Sequence, residues 1–125
     1  MKYLFLVHLD EPKYGALSEH DLQALDDLAI EYVDKLQDRG QLVAGNALEM
    51  AHTATTVRVR DGKAWVTDGP YAETNEQVGG FLVVEARDLS EAVQLASDWP
   101  CAYEGGVEIR PLRELVSSVD PERRI

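Results

Sequence analysis

Two segments of the chain carry hydrophobic residues at the three- and four-residue spacing of an amphipathic helix. In residues 18–39, Ser18 is a candidate N-cap and Gly40 a candidate stop. In residues 88–99, Asp88 occupies the N-cap position. The apolar positions are Leu22, Leu25, Leu28, Ala29, Tyr32, Val33 and Leu36 in the first segment, and Leu89, Ala92, Val93, Ala96 and Trp99 in the second. The pattern predicts two helices, each with one face turned to a core.

Strand patterns occupy the ends and the middle of the chain. Residues 3–8 and 81–84 are apolar almost without interruption, which is typical of strands that are covered on both faces. Weaker patterns lie at residues 41–50, which Gly45 interrupts, and at residues 107–112. Together these segments predict four strands of one sheet.

A hairpin is predicted between the second and third of these strands. Residues 55–60 and 63–67 flank an Asp-Gly pair at positions 61–62, which suits a two-residue turn with positive φ. The register then places Arg58 opposite Trp65, close enough to stack.

The order of elements predicts an α+β fold. Without the hairpin, it is β-α-β-β-α-β, the ferredoxin-like split unit, within a single domain at residues 1–115. Two helices cover only one sheet face, so a second copy of the chain is expected on the other. Residues 116–125 are polar, and we expect a loose tail there.

The net charge restricts the classes of molecule that this protein is expected to bind, and the cysteine content restricts its disulfide chemistry. Among 125 residues, 12 are Lys or Arg and 23 are Asp or Glu, a net charge of −11 that argues against nucleic acids and anionic membranes. One cysteine, Cys101, excludes an internal disulfide, and we expect an inert thiol. The apolar run at residues 3–7 is too short for a signal peptide or a membrane span, which favours the cytoplasm.

The most distinctive motif lies in the middle of the chain. Residues 68–74 (DGPYAET), followed by Gly-Gly-Phe at positions 79–81, resemble the hallmark of the DGPF family of YCII-related proteins. The opening residues 1–4 and the stretch 55–62 are also similar to that family. Tyr71 stands where the family name has Phe.

This resemblance implies a dimeric α/β barrel built from ferredoxin-like subunits. YCII-related proteins have been proposed to be enzymes because one branch carries a His–Asp pair in a cleft, but no histidine here aligns with that pair. The DGPF branch is linked to sigma-factor-type regulators, which suggests a regulatory context.

His8 and Asp10 are the candidate catalytic residues. Strand alternation puts Leu4, Leu6 and His8 on one face, which we expect to be the face without helices. Asp10, two positions on, could orient the imidazole as a general base requires. The alternative is an ordinary histidine at a strand end. Metal-ligand spacings and phosphate-binding loops are absent, so neither a metal nor a cofactor is expected.

Candidate ligand-binding residues cluster around the motif. Its turn formers predict a rigid structural loop, and the functional alternative is that the loop presents hydrogen-bonding groups at a cleft. These candidates are Arg58, Trp65, Asp68, Tyr71, Glu73 and Thr74.

Two function classes remain open. One is a homodimer that binds an unknown small molecule or acts as a cofactor-free enzyme, with its cleft between the sheet and the hairpin and with His8 and Asp68 as candidate polar groups. The other is a non-catalytic regulatory or protein-interaction module linked to sigma-factor-type transcription control.

Overall fold

The protein is described by a computed structural model over residues 1–100 and 105–125; Cys101 lies outside this range. The helices are α1 (Glu11–Gly15), α2 (Glu19–Asp38) and α3 (Leu89–Ser97). The strands are β1 (Lys2–Asp10), β2 (Leu42–Ala47), β3 (Thr55–Arg60), β4 (Lys63–Asp68), β5 (Glu76–Glu85) and β6 (Gly106–Pro111). A short 3₁₀ turn spans Ala51–Thr53.

The fold is α+β, as the element order predicts. One antiparallel sheet has the order β2-β5-β1-β6, and β3 pairs with β4 in a separate hairpin. This order is compatible with a ferredoxin-like unit that carries the hairpin as an insertion.

The side chains of strand β1 alternate between the two faces of the sheet. Tyr3, Phe5, Val7 and Leu9 are buried, and Tyr3 and Phe5 belong to the core that α2 and α3 form with the sheet. The intervening Leu4, Leu6 and His8 are only half-buried. The predicted assignment of the two faces is therefore confirmed. We call the face without helices the open face.

Both long helices begin where the sequence predicts. The Ser18 side chain accepts a hydrogen bond from the backbone N–H of Asp21 at 3.1 Å, and Asp88 accepts one from Glu91 at 2.9 Å. Helix α3 ends at Ser97, before Trp99, so the predicted helical range is two residues too long there. Gly40, at φ +70°, follows α2 in the left-handed conformation that suits a stop.

Helix α1 lies where the sequence analysis predicts only a loop. The Asp10 carboxylate caps it by accepting a hydrogen bond from the Lys13 N–H at 3.2 Å, and Pro12 occupies the first turn. Strand β5 is also longer than predicted, because the glycine pair before Phe81 belongs to the strand.

The hairpin has the predicted turn and register. Asp61 and Gly62 have φ values of 51° and 74°, and Arg58 pairs with Trp65 across the two strands. The β3–β4 pair projects from the main sheet with its apolar side chains in solvent. Val57, Val59 and Val66 are 59%, 69% and 65% exposed. We call residues 55–68 the hairpin arm.

The two ends of the C-terminal tail are hydrogen-bonded to each other. Leu115 and Ile125 exchange two backbone hydrogen bonds, at 2.8 and 3.0 Å. The Arg124 guanidinium also contacts the Glu114 carboxylate at 2.9 Å. These contacts join the two ends of residues 115–125, and the expected looseness of the tail stays a prediction.

Gly69 follows the hairpin arm at φ +115°, in a region that side chains other than glycine rarely adopt. An added Cβ would meet only the end of the Glu73 side chain at 3.8 Å, so the backbone conformation is the obstacle. We expect Gly69→Val to lower the free energy of unfolding by about 1 kcal/mol or more in urea denaturation. Gly106→Val is the matched control, because none of the described residues beyond its chain neighbours has an atom within 4 Å of the added Cβ. Equal urea midpoints for Gly69→Val and the wild type would contradict the argument that the backbone conformation at position 69 requires glycine.

Candidate functional site

The open face of the sheet carries an apolar centre and a polar edge. In the strand register, Leu4 lies beside Val83 and Leu6 beside Phe81, which groups four apolar side chains. On the other side of β1, strand β6 places Arg110 beside Leu4 and Glu108 beside Leu6. Strand β6 therefore brings two charged side chains, Glu108 and Arg110, to one edge of this face.

His8 has a carboxylate partner, although not the one that the sequence suggests. Its Nε2 lies 3.0 Å from Glu108 Oε1, and the guanidinium of Arg110 donates to Glu108 Oε2 at 3.2 Å. The Asp10 carboxylate instead caps α1, so the predicted His8–Asp10 pairing is not what orients the ring. The hydrogen bond from His8, followed by that from Arg110, lowers the pKa of the Glu108 carboxyl. A carboxylate of this kind can fix the orientation of the imidazole.

The hairpin arm and the loop after it form a different contact. The Arg58 guanidinium lies over the Tyr71 ring, 4.9 Å from its centroid, and donates to the Tyr71 carbonyl at 3.3 Å. The expected stacking partner, Trp65, is the register neighbour of Arg58 and is 59% exposed. The cation–π contact thus ties the arm to the 68–74 loop rather than one strand to the other.

Hydrogen bonds connect both ends of the 68–74 loop to neighbouring residues. The Gly69 N–H donates to the Ala54 carbonyl at 2.7 Å, and the Thr56 hydroxyl donates to the Gly69 carbonyl at 2.8 Å. The Thr74 hydroxyl donates to the Glu76 carbonyl at 2.7 Å. These contacts give each end of the loop a fixed place.

Three of the predicted ligand-binding residues border one shallow polar cleft. Asp68, Glu73 and Thr74 lie there with Glu11 and His52. Both Glu11 carboxylate oxygens accept from the Ala51 N–H, at 2.9 and 3.2 Å, so this acid has a structural role. Tyr71, Arg58 and Trp65 do not border this cleft, and His8 borders a separate groove with Glu108. The residues that the sequence predicts to form a site therefore lie in separate parts of the structure and not in one cleft.

A cavity that the sequence analysis missed lies between α2 and the sheet. It has a volume of about 250 Å³, and we call it the helix–sheet cavity. Its lining is mostly apolar and consists of Val7, Leu9, Tyr14, Leu25, Asp26, Ala29, Ile30, Val33, Gly45, Asn46, Ala47, Gly79, Gly80, Phe81, Leu82 and Trp99.

Glycines in the strands shape the floor of this cavity. A Cβ at Gly79 would collide with the Leu9 side chain, and one at Gly45 would lie 2.5 Å from Leu82 Cδ2. The leucine side chains thus occupy the space that a side chain on the neighbouring strand would need. Gly45 and the 79–80 pair were the available sequence signal, since glycine inside a strand often marks close approach of another group.

Aromatic packing fixes the end of the cavity near α3. The Trp99 and Tyr32 rings meet edge to face, with centroids 5.2 Å apart and planes at 89°. The Tyr32 hydroxyl donates to the Leu95 carbonyl at 2.5 Å, which joins α2 to α3. Burial and the nearby Asp98 raise the pKa of Tyr32 to about 12, with Arg39 opposing them, so the phenol stays protonated at neutral pH.

Residues 1–100 and 105–125 lack two further features, a metal-binding cluster and a membrane-spanning helix. Over these residues, no three His, Cys, Asp or Glu side chains are grouped so that they could hold a metal ion. None of the helices in the same residues combines the length and the apolar character that crossing a membrane requires.

Because His8 contributes most to the lowered pKa of Glu108, we expect His8→Ala to raise this pKa toward its ordinary value. Arg110→Gln should raise it less. The measurement is an NMR titration of the Glu108 side-chain carboxyl carbon. As the pH falls through this pKa, the carboxyl gains a proton and its ionic contacts with His8 and Arg110 are lost. Asp10→Asn is the control and should leave the titration in place, whereas an unchanged titration in His8→Ala would refute the pairing.

Comparisons with known proteins agree with the resemblance of the chain to YCII-related proteins. The family model of the YCII-related domain matches residues 1–116. An uncharacterised protein of Rhizobium meliloti (strain 1021) is 36% identical over 115 residues, which are 90% of this chain and 92% of that protein. Since the family match spans every helix and strand given above, the chain belongs to the YCII-related family.

Proposed function

We propose that this protein binds a small, largely apolar molecule in the helix–sheet cavity and does so as a homodimer. The observation that carries the proposal is the cavity itself, at about 250 Å³ with a mostly apolar lining. Ligand sites combine an apolar wall with a few polar groups, and a smaller apolar cavity of about 150 Å³ is enough to hold benzene. Asp26 and Asn46 supply polar groups here.

The dimer would form through the open face. Helices α2 and α3 pack on the opposite face, while Leu4, Leu6, Phe81 and Val83 stay half-buried in the single chain. Contiguous apolar groups that one chain leaves in water are commonly covered by a second copy. Two such faces in contact would form the dimeric α/β barrel that the DGPF resemblance implies.

Any catalysis on the open face would use His8 and Glu108. The pair lies at the polar edge of the apolar centre, so that a second subunit would enclose it in a cleft. The imidazole would serve as a general base without a cofactor, and Glu108 would orient it. The substrate and the reaction would depend on groups that the second subunit adds.

A regulatory or protein-interaction module is the second candidate, and the hairpin arm favours it. Val57, Val59 and Val66 form an exposed apolar row on an arm that projects from the sheet. Such a row suits a contact with another protein. No residue of the hairpin arm is among those lining the cavity, so separate substitutions test the two candidates.

Filling the cavity tests ligand binding. Ala29 lines the cavity from α2, so Ala29→Leu should occupy part of its volume and weaken toluene binding by about ten-fold or more. Binding is measured by calorimetry and by amide chemical shifts of cavity residues. Val93→Leu, in the groove between α3 and β6, is the matched control. Failure of the wild-type protein to bind toluene, or equal binding by Ala29→Leu, would count against the cavity as a ligand site.

The dimer is tested by light scattering at micromolar concentration. The wild type should have twice the chain mass of 13.9 kDa. Val83→Lys should give monomers, because it places a charge in the proposed interface and its register neighbours, Leu4 and Ala44, offer no counter-charge. Val119→Lys, at a position that is 92% exposed, should remain dimeric. A monomeric wild type would overturn the proposal, and monomers from Val59→Lys but not from Val83→Lys would move the interface to the hairpin arm.

A further inference from the structure

The hairpin arm stands outside the hydrophobic core of the described residues. Strands β3 and β4 pair only with each other, and neither cluster of buried apolar side chains contains a residue of the arm. On one face of the arm, Val57 lies beside Val66 and Val59 beside Ala64, and all three valines are at least 59% exposed. We call these four residues the valine row. A two-stranded hairpin is marginally stable at best in water, so this exposed face calls for a partner.

The base of the arm is fixed to the loop that follows it. The Gly69 N–H donates to the Ala54 carbonyl at 2.7 Å, and the Thr56 hydroxyl donates to the Gly69 carbonyl at 2.8 Å. The cation–π contact between Arg58 and Tyr71 adds a third connection. The valine row is therefore held in one orientation, and binding a folded partner requires little further ordering of the arm.

The charges of the arm favour an acidic partner. Arg60 and Lys63 lie opposite each other at its tip, and neither forms an ion pair with a described residue. Like charges that face each other across two strands are unfavourable unless an anion compensates them. With three cations and two acids the arm has a net charge of +1, which leaves −12 for the rest of the chain. A second copy of this chain therefore offers the arm an oppositely charged surface.

The area that a dimer must bury points to the same partner. A stable interface buries about 800 Å² on each subunit. The apolar centre of the open face consists of Leu4, Leu6, Phe81 and Val83, which are half-buried already. Even a fully exposed aromatic side chain has only about 150–250 Å² to bury, so these four fall short of that area. The interface must extend beyond the open face, and the valine row offers further apolar surface.

We propose that the hairpin arm of each subunit packs against the second subunit of the homodimer, with its valine row on the partner's surface and its tip cations beside partner carboxylates. The inference rests on the proposed function, because it concerns the same homodimer. It assigns to that dimer the apolar row that the second candidate function would leave to a different protein.

Removing the apolar character of the row tests the contact. Val59→Thr combined with Val66→Thr keeps the branched shape of both side chains and adds hydroxyls that would be buried at the interface. This double variant should raise the dimer dissociation constant about ten-fold or more. Val93→Thr combined with Val119→Thr, at exposed positions outside the arm, is the matched control and should leave the constant unchanged. Sedimentation equilibrium over a dilution series measures the constants, and equal constants for arm variant and wild type would overturn the inference.

The tip cations are tested by their dependence on salt. Arg60→Gln combined with Lys63→Gln should raise the dissociation constant about three-fold or more at low ionic strength, and the difference should shrink in about 1 M NaCl. Lys35→Gln combined with Arg87→Gln changes the net charge equally at two exposed positions outside the arm. This control should weaken the dimer less. Equal effects of the two double variants would show that the tip cations lie away from the partner's carboxylates.

A direct measurement needs no substitution. In dimers mixed from subunits with ¹³C-labelled valine methyl groups and unlabelled subunits, isotope-filtered NOE spectra record only contacts between subunits. The methyl groups of Val57, Val59 and Val66 should give cross-peaks to protons of the unlabelled subunit. The methyl groups of Val119, which is 92% exposed, should give none. A dimer without cross-peaks from the valine row would leave the arm to another partner and overturn the inference.

The outcomes separate this inference from the proposed function. If the wild type is a monomer, the homodimer and the contact of the arm both fail. If Val83→Lys gives monomers but the arm variants bind like the wild type, the open face holds the dimer and only the inference is overturned. If the arm variants weaken the dimer and Val83→Lys does not, the inference stands and the interface through the open face is wrong.

Discussion

Packing of the helices against one face of β1 is the interaction on which the rest of the molecule depends. Every second residue of this strand, from Tyr3 to Leu9, is buried, and the core around Phe5 joins the sheet to both long helices. The same alternation forces Leu4, Leu6 and His8 to the opposite face. One strand therefore supplies both the wall of the helix–sheet cavity and the centre of the open face.

Elements that depend on neighbouring residues could be predicted from the sequence. The N-caps Ser18 and Asp88 act within one helical turn, and the Asp-Gly turn sets the hairpin register locally. Helix α1 was missed because its cap, Asp10, also ends the first strand, and the sequence offers no separate cap signal. Local patterns thus predicted most of the fold, including the face on which His8 lies.

The site was harder to predict, because its contacts join distant parts of the chain. Glu108 is 100 residues from His8, and only the pairing of β1 with β6 brings the two together. Arg58 contacts Tyr71 because the chain turns back after the hairpin arm, which strand register alone does not reveal. The cavity depends on how tightly α2 approaches strands with glycine in their interior, and no periodicity encodes that distance.

The contact between Gly79 and Leu9 has a consequence for how this family can vary. The leucine side chain occupies the position that a Cβ at residue 79 would take, so these two positions share one volume. A larger residue at position 79 requires a smaller one at position 9, and the effects of the two changes on stability should not add. Relatives that keep this cavity are therefore expected to change the two positions together. Covariation of positions 9 and 79 among their sequences would then reflect the packing of β1 against β5.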